Sequence, residues 1–174
     1  QGTGGLRSTT RSLADLNGVR LALRSGEPVV MRNGELVAPG FADTTKLQEV
    51  GIVATTVVGR SLDMSFGDVS HAGGTALVVV VVDGAAVCGG GAGVFVPGRF
   101  TDTGALVDDQ RVVTFSCTDG VIAKCVDFGY GPWIAGSDVH VACTRLARAD
   151  YCGDGTPWTL DGTRVTIFDH LGIR

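Results

Sequence analysis

The sequence predicts an α+β domain: antiparallel β hairpins forming one sheet or a small sandwich or barrel, one α-helix in the C-terminal half, and stabilising disulfides. Three observations predict it. Glycine occurs 27 times in 174 residues while aromatic residues make up 6%, and glycine at about twice its usual share of roughly 7% is the composition of short strands joined by tight turns. Three Asn-Gly or Asp-Gly pairs stand between apolar runs. Five cysteines occur without a single CxxC pair, a usage that fits disulfides better than a zinc ribbon or a thioredoxin-like motif.

The bulk numbers narrow the field. Apolar residues make up 44% and charged residues 18%, far from the composition of disorder. The length suits one core, so we expect a lead-in over 1–15 and a single domain over 16–174. A net charge of −4 with no Lys/Arg cluster argues against a nucleic-acid partner. The longest apolar run is Ala76–Val82, short of the ~20 residues of a membrane-spanning helix. The first residue is Gln1 rather than Met, from which we expect an upstream segment to have been removed.

Taken in order, Gln1–Arg11 mixes Gly, Ser, Thr and Arg without periodicity and reads as a lead-in. Asn33-Gly34 between Val29–Met31 and Leu36–Ala38 is the signature of a two-residue type I′ hairpin. Asp83-Gly84 predicts a second hairpin between Ala76–Val82 and Ala85–Cys88, and Asp119-Gly120 a third between Arg111–Cys117 and Val121–Val126. Leu77–Val82 is apolar at both parities, which predicts a central strand covered on both faces. Gly89-Gly90-Gly91 lacks the Lys-Ser/Thr of a phosphate loop and reads as a turn before strand Val94–Val96. A helix is expected from a Ser137 or Asp138 cap to near Cys152-Gly153. Its inward stripe would be Val139, Cys143, Leu146 and Ala147, and its outer face His140, Thr144 and Arg148. Val165–Phe168 reads as a final strand.

Chemistry concentrates in Cys143–Thr163. Asp150 lies seven residues after Cys143 and falls on the inward stripe if the helix persists. A buried carboxylate then needs backbone N–H groups, Arg145 or Arg148, or a cation. The cation alternative is calcium: in DYCGDGTPWTLD the acids Asp150, Asp154 and Asp161 occupy positions 1, 5 and 12 of a twelve-residue loop with Gly155 at 6. Against it, Cys152 and Pro157 stand at positions 3 and 8 and no helix follows.

For the cysteines, nine helical residues would part Cys143 from Cys152 by ~13.5 Å, beyond the ~7 Å disulfide limit. These two pair only if the helix breaks. We expect Cys117–Cys125 and Cys143–Cys152, leaving Cys88 free for an intermolecular bridge. A cysteine nucleophile would need a base, for which His71, His140 and His170 are available, with Asp169 beside His170. The catalytic candidates are therefore Cys88, His140, His170 and Asp169, although no local signature joins any histidine to a cysteine. No G-x-S-x-G supports serine chemistry. Trp133 and Trp158 are either core plugs or an aromatic platform for a protein or glycan ligand.

The stretches VTFSCTDGVIAKCVDFGYGPW and VACTRLARADYCGDGTPWTLDGTRVTIFDHLGI resemble the ADYC domain family, whose motif stands here as Ala149-Asp150-Tyr151-Cys152. The resemblance covers 110–174. It implies that Cys117, Cys125, Cys143, Asp150, Tyr151, Cys152, Gly153, Asp154 and Gly155 are motif positions, and that the protein is exported by a bacterium, often as a surface lipoprotein of the myxobacterial type. Leu16-Asn17-Gly18 is similar to the end of repeats that precede this domain. No catalytic role is carried over by the resemblance. Together these readings lead us to expect a secreted or cell-surface binding or structural module without a cofactor. The alternatives are a secreted cysteine-dependent hydrolase or self-processing protein, and a calcium-stabilised surface domain.

Overall fold

Short alternating strands and tight turns build most of the chain. The computed structural model describes residues 16–154 and 156–159. Eleven strands appear among the described residues: β1 Asn17–Leu23, β2 Pro28–Arg32, β3 Glu35–Val37, β4 Ile52–Thr55, β5 Ser61–Ala72, β6 Thr75–Val82, β7 Ala85–Ala86, β8 Gly93–Pro97, β9 Arg99–Phe100, β10 Leu106–Val107 and β11 Val113–Cys117. Three helices follow them, α1 Val121–Asp127, α2 Pro132–Ala135 and α3 Ser137–Ala147. The fold is α+β, strand-rich and antiparallel.

The main sheet runs β11-β8-β6-β5-β4-β1-β2-β3, with β7 on β6, and β9–β10 form a separate hairpin. β11 also meets β1 through Asn17–Thr114 and Val19–Val113, and β6 meets β8 through Val78–Gly93. These contacts curl the sheet without a continuous closed ladder. Two of the expected turns are present: Asn33 and Gly34 have φ of 47° and 83°, and Asp83 and Gly84 have 49° and 81°. Two successive positive φ angles are what a type I′ turn requires.

Two apolar clusters share β8. Phe95 packs between Phe66 and Phe115, with ring centroids 5.8 and 4.8 Å away, inside the larger cluster on one face of the sheet. Val94 and Val96 face the other way and pack with Ile122, Ala123 and Val126 of α1. All five residues of β8 are buried, so β8 is the strand covered on both faces. β6, expected in that role, alternates between buried Ala76, Val78 and Val80 and half-buried Val79 and Val81, because the helical cover thins out at half-buried Leu77. Gly93 permits the junction: a Cβ there would collide with the Ser116 carbonyl and the Phe115 ring.

The third expected hairpin is corrected. Gly120 caps α1 instead of turning a strand, and Val121–Val126 is helical. Of its five buried positions, Val121, Ile122, Cys125 and Val126 follow i, i+1, i+4 and i+5, with Ala123 the fifth, helical spacing hidden within a short apolar run. The strand expected at 165–168 and the lead-in over 1–15 lie outside the described residues.

Candidate functional site

The helical layer and the loop after it gather most of the residues singled out by sequence. Helix α3 begins at Ser137 behind an N-cap at Gly136, so neither Ser137 nor Asp138 caps it as expected, and it ends at Ala147, five residues before Cys152. Ala149 takes a φ of 58°, the Asp150 N–H donates to the Arg145 carbonyl at 2.9 Å and the Ala149 N–H to that of Leu146 at 3.0 Å. These are the two bonds of a Schellman cap, with alanine where glycine is usual. The cap reverses the chain and turns Asp150 back onto the helix.

There Asp150, 1% exposed, accepts a 2.7 Å bond from Arg148 Nη2. A carboxylate and a guanidinium buried together avoid the cost of either alone. The Arg148 head also lies against the β9–β10 turn, where a Cβ at Gly104 would stand 2.7 Å from Nη2. The pair thus ties the end of α3 to that hairpin.

The face of α3 is the reverse of the expected one. His140 and Thr144 are fully buried and Arg148 is 9% exposed, one stripe at i, i+4 and i+8, while Cys143 and Leu146 are half-buried and Ala147 exposed. Each of these buried polar side chains makes a hydrogen bond, while His140 Nε2 has none among the described residues. His140 Nδ1 donates to the Tyr130 carbonyl at 2.7 Å, Thr144 Oγ1 donates to the Val141 carbonyl at 2.9 Å, and Arg148 holds Asp150. The His140 ring tilts against Phe100 at 6.1 Å. Burial pushes its imidazole below the usual histidine value, against the opposing pull of the Tyr130 carbonyl.

The disulfides differ from the expected pairing. They are Cys88–Cys117 and Cys125–Cys143, with Cα separations of 5.7 and 5.9 Å, and the exposed free thiol is Cys152 rather than Cys88. Since 117–125 is a strand end, a turn and a helix, the supposed hairpin that would have brought Cys117 to Cys125 does not exist. Cys88 instead faces the end of β11 across the 89–91 turn, and Cys125 of α1 meets Cys143 of α3. These bonds remove Cys88 as a nucleophile and occupy Cys143, the cysteine that neighbours His140 in sequence.

The remaining candidates scatter. Trp133 is half-buried against Gly34 and Gly131, whereas Trp158 is 59% exposed. Trp158 returns beside the cap through its N–H bond to the Ala149 carbonyl at 2.8 Å, near Tyr151, which is 46% exposed. Asp154 is exposed and accepts the Thr156 N–H at 2.8 Å. Among the described residues no cluster of three or more His, Cys, Asp or Glu has metal-binding geometry, and Asp150 faces an arginine. Gly155, Asp161, Asp169 and His170 lie outside the described residues.

One cluster escaped the sequence reading. Glu35 accepts from His71 Nε2 at 2.7 Å, from Thr44 N at 3.0 Å and from Thr44 Oγ1 at 2.5 Å. It clasps the β5–β6 hairpin to the β2–β3 turn, and residues 36 apart carry no local signal of meeting. No helix among the described residues is long and apolar enough to cross a membrane.

A family model described as the ADYC domain matches residues 53–174, beginning well upstream of residue 110. No curated protein and no solved structure matches the chain.

Proposed function

Because the chain belongs to the ADYC domain family, we propose that it is an exported binding or structural module displayed at the cell surface, not a cysteine hydrolase. The observation that carries this reading is the pair of disulfides Cys88–Cys117 and Cys125–Cys143. Such bonds persist in oxidising compartments, and here they consume Cys88, the expected nucleophile, and Cys143, the cysteine that neighbours His140 in sequence, leaving Cys152 as the free thiol. What the cap of α3 offers to solvent is contact chemistry: the Tyr151 and Trp158 rings, suited to covering a protein or glycan surface, and the Cys152 thiol, open to an intermolecular bridge.

Two measurements test it. A membrane-impermeant maleimide applied to intact producing cells should label Cys152; labelling only after outer-membrane permeabilisation would keep export and overturn surface display. Recovery of the chain only in the cytosol would overturn export. Mixing the purified chain with an activated ester should give the same trace as Cys152→Ser. A stoichiometric burst lost in that variant would reinstate the hydrolase.

A further inference from the structure

The outer face of the sheet is roofed by α1 above β8, but the roof stops before the tip of the β5–β6 hairpin. Between them lies a cavity of about 240 Å³. Its walls include Leu77, Val94, Ala123 and Val126, and α1 contributes Lys124 and Asp127 to the same lining. We infer that this cavity binds a free α-amino acid with an apolar side chain.

Size and charge both select that ligand. The volume falls below the roughly 300–1,000 Å³ of sites for drug-sized molecules, so it suits a single residue. Lys124 and Asp127 stand at i and i+3 on α1, a spacing that brings Cβ atoms within about 5–6 Å. Neither side chain has a hydrogen bond or ion pair among the described residues. A lone carboxylate in the cavity would meet Asp127 and a lone amine would meet Lys124, while a hydrocarbon would use neither charge and leave half-buried Lys124 and exposed Asp127 to water. A zwitterion answers both: its carboxylate goes to Lys124, its ammonium to Asp127, and its side chain to the apolar walls. Chain termini of a peptide supply one of these charges at a time, whereas a free amino acid carries both on one carbon.

The walls are held in place by covalent bonds. Thr118 of the lining follows Cys117, bridged to Cys88, and α1 is bridged through Cys125 to α3. A site braced in this way requires little ordering when it binds. It is separate from the Tyr151–Trp158 surface and does not depend on where the protein resides, so failure of either proposal leaves the other standing.

Titrating the intact chain with L-leucine and with L-phenylalanine, while following backbone amide resonances, tests the site. Saturable shifts are expected at Leu77, Val94 and 123–127 with at least one of the two. Glycine, 3-methylbutylamine and 4-methylpentanoate, which lack the apolar body or one charge, should bind at least about tenfold more weakly. Lys124→Met and Asp127→Asn should each weaken binding about tenfold while leaving the melting temperature in place. Ala72→Phe, at an exposed lining position on the hairpin, should block the cavity. Absence of saturable shifts with both amino acids, equal response to glycine, or indifference to the two charge variants would overturn the proposal.

Discussion

Removing one partner of the Arg148–Asp150 pair leaves a charge where the two side chains are only 7% and 2% exposed. Asp150→Ala should therefore cost about 3–5 kcal/mol, read from the urea midpoint, whereas the double change Arg148→Met with Asp150→Leu should recover most of that loss. Equal destabilisation by single and double variants would refute the pairing as the cause. His140 makes a prediction in pH. Burial lowers its folded-state value, so between the unfolded value of about 6.5 and that lower value only the unfolded chain takes up the proton. Stability contributed by the neutral ring is present above about pH 6.5 and drains away as pH falls. Melting curves from pH 7.5 to 5 should fall more steeply for the native chain than for His140→Gln; parallel curves would sink the prediction. That a buried Asp150 needs backbone N–H groups, Arg145 or Arg148, or a cation was legible in sequence, whereas its inward position was expected from a longer helix and comes instead from the cap after Ala147.

At the scale of elements, α3 is where packing overrules pattern. Val139, Cys143, Leu146 and Ala147 form an apolar stripe, yet the stripe His140-Thr144-Arg148 is the one buried. The reason lies in partners on other segments: the Tyr130 carbonyl takes the imidazole, and the Cys125–Cys143 bond sets the rotation of α3 against α1. Neither partner is visible from the helix alone. Its end was equally hidden, since a Schellman cap is normally announced by glycine and here the left-handed residue is Ala149. That conformation costs a non-glycine residue roughly 1–2 kcal/mol, more than the roughly 0.4–1 kcal/mol that glycine loses through unfolded-state entropy. Ala149→Gly should thus raise stability by up to about 1 kcal/mol in chemical denaturation. Replacing Cys125 and Cys143 together by Ser opens a loop of 18 residues' separation and should cost about 3 kcal/mol. An unchanged midpoint would show that the bridge adds nothing to the packing.

Across the whole molecule, β8 is the keystone, with Phe95 in one apolar cluster and Val94 and Val96 in the other. Gly93 sits at its start, the residue through which β8 meets β6. Gly93→Ala would press a methyl group into the Ser116 carbonyl and the Phe115 ring and should cost about 1–3 kcal/mol as overpacking. Calorimetry should show one lowered transition, since both clusters share the strand. The sequence alone determined what is local: the type I′ turns at Asn33-Gly34 and Asp83-Gly84, whose positive φ angles few residues accept, the presence of a helix after residue 136, and the α+β class that follows from short strands between glycines. Tertiary structure decided which cysteines pair, which face of α3 is buried, and whether 121–126 is strand or helix. Each of those outcomes turns on how separate elements pack against one another, and no pattern within one element records which neighbour supplies the partner for a buried polar atom or a sulfur.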